Sequence, residues 1–121
     1  MSTLPLYRLA RVIRSKNAKP YLLTLDVIFN NEDLFEYVKQ KNALTKEAVL
    51  QAYNLPEESF VSSFIFDEGL AFKFTIKRPI AQGSPGDSDI YGAQQHVPLM
   101  YIEIPWEEGL DNSKLLPDFN S

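Results

Sequence analysis

The chain has 121 residues, of which 45% are apolar and 23% charged, and its net charge is −4 at neutral pH. That length holds one domain whose core buries roughly two thirds of the unfolded surface; the composition excludes a disordered, fibrous or coiled-coil chain, and the acidic balance argues against nucleic acid or an anionic membrane as partner. With no cysteine, disulfides, thiolate metal sites and a cysteine nucleophile are excluded. The absence of a leader-like segment or a long apolar run points to the cytoplasm.

Residues 6–13 mix apolar and basic side chains with strand-favouring types and read as a short strand, which runs into a polar turn over 14–20. From 21 to 29, Leu23, Leu25, Val27 and Phe29 alternate with Thr24 and Asp26. This period of two marks a strand buried on one face and turns Asp26 away from the core. Asn30 is the expected cap of a helix reaching about Lys41, with Glu32 and Asp33 in its first turn and Phe29 stapled onto Leu34. Thr45 repeats the device for a second helix, with Leu44 and Val49 as its staple, Ala48, Val49, Ala52 and Tyr53 as its apolar stripe and Pro56 as its end.

Residues 60–66 and 70–77 form the expected hairpin, joined by Asp67-Glu68-Gly69 with Gly69 in the left-handed position. In its second strand Leu70, Phe72, Phe74 and Ile76 face the core, while Lys73, Thr75 and Lys77 face outward, so the sheet is covered on one side only. Phe64, Phe66, Phe72 and Phe74 belong to the core or to a subunit interface. Residues 81–96 are rich in Gly, Ser, Pro and Asp and read as a long loop, a length that inside a compact domain is usually functional or disordered. A strand over 98–104 follows, with Met100, Ile102 and Ile104 inward and Tyr101 and Glu103 outward, and then a polar tail over 106–121.

The order predicts an α+β fold: a ferredoxin-like two-layer sandwich, with an antiparallel-rich sheet, two helices on one face and an extra N-terminal strand. The whole chain is one domain with its core over about 4–105, and the open sheet face is expected to display Asp26, Lys73, Thr75, Tyr101 and Glu103.

Two polar segments carry the candidate chemistry. Arg14, Ser15, Lys16 and Asn17 bring a guanidinium, a hydroxyl, an ammonium and an amide into one turn, within a basic stretch that also holds Arg8, Arg11 and Lys19. Such a set suits a carboxylate or phosphoryl group, and equally an ordinary surface turn. The segment Gly83-Ser84-Pro85-Gly86-Asp87-Ser88-Asp89 lacks the lysine and the strand-to-helix setting of a phosphate loop. Its Asp87 and Asp89 suit a cation, a substrate or their own turn. His96, the chain's one histidine, sits where the loop meets the following element and suits either proton transfer or a hydrogen-bonded anchor.

Taken together, Arg14-Ser15-Lys16-Asn17-Ala18, Leu23-Thr24-Leu25-Asp26 and Gly83 to Asp87 running into Asp89-Ile90-Tyr91-Gly92-Ala93-Gln94-Gln95-His96 resemble an uncharacterised small-domain family associated with acyclic terpene utilisation proteins. The resemblance covers roughly residues 4–105. It implies a ferredoxin-like domain similar to the C-terminal part of those proteins, whose larger portion is associated with terpenoid or acyl-CoA catabolism. Lys19 stands where that family is expected to carry a glycine.

The resulting expectation is a small subunit of a two-component, hydratase- or lyase-like enzyme acting on a carboxylated or CoA-linked substrate. Asp26, Asp87 and His96 are the candidate catalytic residues. Arg14, Ser15, Lys16, Asn17, Ser84, Gly86, Asp89, Tyr91, Gln94 and Gln95 are the candidate binding residues, with Arg14 or Lys16 close to Asp87 or Asp89. No metal and no cofactor are expected. The expected partners are an anionic small molecule, a larger protein like the acyclic terpene utilisation proteins, or further copies of the chain, but not nucleic acid or membrane. The alternative is a non-catalytic assembly module that docks a larger protein through its open sheet face and long loop, and a free-standing enzyme is the third reading.

Overall fold

A computed structural model of the chain describes residues 2–19, 21–77, 95–107 and 109–117. In chain order these form β1 (Ser2–Pro5), a 3-10 turn (Leu6–Arg8), β2 (Val12–Ala18), β3 (Leu22–Ile28), α1 (Glu32–Gln40), α2 (Lys46–Ala52), a 3-10 turn (Glu57–Ser59), β4 (Phe60–Phe66), a 3-10 turn (Asp67–Gly69), β5 (Ala71–Lys77), α3 (Val97–Met100) and β6 (Glu103–Trp106).

The main sheet has the order β2-β3-β5-β4, and β1 pairs with β6 in a separate two-stranded sheet. All the pairings are antiparallel. Leu23, Leu25 and Val27 of β3 and Phe72, Phe74 and Ile76 of β5 share one face, where Leu34, Phe35 and Val38 of α1 and Val49 and Leu50 of α2 close over them in a single core. The aromatic centre of that core is a trio in which Phe35 lies 5.9 Å from Phe29 and 5.4 Å from Phe72. The fold is thus α+β, in two layers consistent with the expected ferredoxin-like sandwich.

Local chemistry accounts for most boundaries and corrects several expectations. The cap of α1 is Asn31 rather than Asn30, its side chain accepting from the Leu34 N–H at 3.0 Å, so the expected Phe29–Leu34 staple loses its register and Phe29 packs on Phe35 instead. Thr45 caps α2 as expected, accepting from the Ala48 N–H at 3.2 Å. In the β4–β5 hairpin the left-handed residue is Leu70 (φ 53°, ψ 46°) rather than Gly69. Gly69 leaves room for a neighbour: a Cβ there would lie 2.9 Å from the exposed Phe66 ring, which would have to shift.

The expected strand over 6–13 is instead a 3-10 turn whose Leu6 N–H reaches the Ile102 carbonyl at 2.8 Å, followed by buried Leu9 and Ala10. The expected turn over 14–20 is mostly strand, since β2 runs to Ala18. Its polar residues hid the alternation because β2 is an outer strand facing solvent. Lys19 follows with φ 66°, the left-handed conformation that a glycine adopts without steric cost.

The expected strand over 98–104 begins as α3, and β6 joins β1 rather than the main sheet. Tyr101 and Glu103 are therefore exposed away from the open face, with Tyr101 edge-on to Tyr7 at 5.5 Å. The stretch expected as a polar tail docks on the core: Leu110 and Leu115 pack against it, and Arg8 and Leu116 exchange bonds, Leu116 N–H to Arg8 carbonyl at 2.7 Å and Arg8 Nε to Leu116 carbonyl at 2.5 Å. Isolated leucines among polar residues have no period by which to be recognised.

Candidate functional site

A half-open cleft of about 420 Å³ lies beside the outer strand β2. Its floor is apolar, from Ala10, Ile13, Met100 and Leu116, and its polar groups are Tyr7, Arg11, Asn30 and His96. Among the described residues no carboxylate lines it. The volume suits a small molecule.

Each polar group is placed by local structure. Leu6 is tied by its N–H to Ile102, and Leu9 and Ala10 are buried, so the chain turns outward at Arg11 before β2 begins. Asn30 stands at the exposed link between β3 and the cap of α1. His96 opens α3, its carbonyl accepting from the N–H groups of Leu99 at 3.1 Å and Met100 at 3.3 Å. Just before it, the Gln95 carbonyl accepts from the Tyr53 hydroxyl at 2.5 Å. The His96 backbone is therefore anchored on both sides, while its ring stays partly exposed in the cleft.

Gln95 itself is buried, and its Nε2 finds no hydrogen-bond acceptor among the described residues. A buried amide without a partner carries a cost of roughly 1–3 kcal/mol.

The residues expected to form a site are distributed differently. Asp26 accepts a bond from Arg14 Nε at 3.0 Å, and the pair sits opposite Lys73 on the open sheet face. Side chains alternate along a strand, so Arg14 and Lys16 project from one face of β2 and Ser15 and Asn17 from the other. The four do not converge as a turn would have made them. Ile13, next to Arg14, points to the cleft side. Arg14 and Asp26 therefore lie across the sheet from His96. Ser84, Gly86, Asp87, Asp89, Tyr91 and Gln94 lie outside the described residues, and so does the expected approach of Arg14 or Lys16 to Asp87 or Asp89.

Arg11, Tyr7 and Asn30 are the cleft residues that the sequence left out of the site. Arg11 stood in the basic stretch but carried no motif, and Asn30 was assigned to capping. Among the described residues no three His, Cys, Asp or Glu side chains group as a metal site would need, and no described helix is long and apolar enough to cross a membrane. A second recess of about 150 Å³ lies between α1 and the C-terminal segment, beside Tyr37, Trp106 and Lys114. Its Tyr37 hydroxyl donates to the Pro105 carbonyl, and burial raises the phenol above its ordinary value, with Lys41 opposing.

With an imidazole, a guanidinium and a phenol over an apolar floor, and no carboxylate among the described lining residues, the cleft can hold an anionic head group with an apolar body and can move a proton. The chain matches the family described as Domain of unknown function (DUF4387) over residues 6–103, and it belongs to that family. No curated protein matches it, and no solved structure does.

Proposed function

We propose that this DUF4387 domain is the small, ligand-holding subunit of a two-component enzyme acting on a carboxylated or CoA-linked substrate. The observation that carries the reading is the cleft itself: Arg11 and His96 beside an apolar lining of Ile13, Met100 and Leu116, with no carboxylate among the described lining residues. The Arg11 fork pairs with a carboxylate or polarises a thioester oxygen, and the floor takes an acyl chain. His96, held by the anchored start of α3, takes or returns one proton.

A hydratase- or lyase-type step needs a second proton-moving group beside His96, and the described cleft offers the Tyr7 phenol for it. Asp87 or a larger protein like the acyclic terpene utilisation proteins is the other candidate source. The open sheet face, with Arg14, Asp26, Lys73 and Thr75, suits the docking of such a protein. The same face favours the second reading, a non-catalytic assembly module.

Titration of the isolated protein with octanoate by calorimetry tests the first reading. Binding is expected, weakened about 10-fold by Arg11→Ala and retained by His96→Gln, which in the complete complex abolishes turnover. Absence of binding, or binding indifferent to Arg11→Ala, refutes it.

A further inference from the structure

The main sheet has two outer strands of opposite character. β2 carries Arg14, Lys16 and Asn17, whereas β4 (Phe60-Val61-Ser62-Ser63-Phe64-Ile65-Phe66) has no charge, proline or glycine. Charges and prolines are the usual means by which a sheet edge is kept from pairing with other chains, and β4 lacks them. Its outer side pairs with nothing among the described residues. Val61, Phe64, Ile65 and Phe66 are 45%, 61%, 45% and 49% exposed.

We infer that β4 is the interface between two copies of this chain, paired antiparallel about a two-fold axis at Phe64 so that the two four-stranded sheets become one. The strand's own sequence identifies the occupant. Its register with β5 sets Ser63 and Ile65 opposite Phe74 and Phe72 on the helix-covered face, and Phe64 and Phe66 opposite Lys73 and Ala71 on the open face. An axis at Phe64 then places Ser62 against Phe66 and Ser63 against Ile65 of the second copy, and Phe64 against itself.

Every small side chain thus meets a large one on its own face, the arrangement that cross-strand packing favours. Moving the axis by half a residue opposes residues from different faces. Moving it to Ser63 sets the irregular stretch between Phe60 and Ser62 against the regular one. Phe64 is the midpoint of the regular stretch from Ser62 to Phe66. At the ends of the strand, Asp67 and Glu57 are held by Lys39 at 2.7 Å and Lys46 at 2.5 Å in their own chain, which tempers the repulsion between acidic ends.

The cleft lies beside the opposite outer strand, so it is not consumed by this contact. The resulting dimer keeps its open face free for a larger protein.

Sedimentation equilibrium of the full chain at micromolar concentration is expected to give twice the 13.8 kDa chain mass. Phe64→Lys, which sets like charges face to face on the axis, raises the dissociation constant about 30-fold or more, with folding checked by circular dichroism. Because the chain has no cysteine, Phe64→Cys is a second probe: mild oxidation is expected to link two copies through residue 64, while Glu103→Cys, distant from β4, stays unlinked. A wild-type monomer, a dimer indifferent to Phe64→Lys, or linkage through residue 103 as fast as through residue 64 overturns the inference. Arg11→Ala leaves the mass unchanged, which separates this test from that of the cleft.

Discussion

Phe35 has the largest fully buried side chain of the core, and truncating it removes the shared member of the aromatic trio. Phe→Ala at such a site costs about 3–5 kcal/mol. The contacts at 5.9 Å and 5.4 Å place Phe35→Ala in the upper half of that range, because each well-oriented ring pair adds about 0.5–1.5 kcal/mol to burial. A loss of about 4 kcal/mol is a large part of the 5–15 kcal/mol by which domains are usually stable. Trp106, the one tryptophan, is buried with its Nε1 donating to Asn112 at 2.8 Å, and it reports unfolding without any label. With a urea slope of about 2 kcal/mol/M, the midpoint falls by about 2 M at constant slope. Phe35→Leu, which keeps most of the volume, falls by less than about 1 M. A Phe35→Ala loss below about 1 kcal/mol refutes the claim that α1 locks onto the sheet through this ring.

Lys19→Gly is expected to stabilise the fold by about 0.5–1 kcal/mol, since it relieves a left-handed lysine and gives back part of the gain through a freer unfolded chain; thermal melts check the sign. Lys39, Lys41 and Lys46 are raised above their ordinary 10.5, chiefly by hydrogen bonds to Asp67, Glu107 and Glu57. A raised folded value means that each contribution is complete below pH 10.5 and is lost as pH rises through the folded values. Tyr37 adds to the same alkaline loss, so Tyr37→Phe together with the three Lys→Met changes should flatten melting temperature against pH above about 9.5, and an unchanged slope counts against these pairs.

The sequence was most legible where one face is buried and the other wet. β3 and β5 show that alternation in full, and the caps of the helices are written in single side chains, with only the choice between Asn30 and Asn31 ambiguous. The hairpin was found with its special residue misplaced, because glycine is the usual left-handed residue and nothing local reveals that Leu70 takes that role while Gly69 makes room for a ring. β2 escaped because an outer strand needs no apolar alternation on its solvent side, β1 escaped because it is short and finds its partner a hundred residues away, and β6 was expected too early, where α3 stands. Of the cleft, His96 was singled out by rarity. Arg11 was not, since its significance comes from Leu116 and Met100 being brought beside it, which is a tertiary fact.

The exchange of bonds between Arg8 and Leu116 also has a temporal side. One wall of the cleft comes from Tyr7, Ala10 and Arg11 and another from Leu116 and Pro117, so the ring of chain that encloses it is about a hundred residues long and closes at a substantial entropic cost. During synthesis the binding surface comes into being only after Leu116 and Pro117 have left the ribosome, so a chain cut short before them lacks that wall of the cleft.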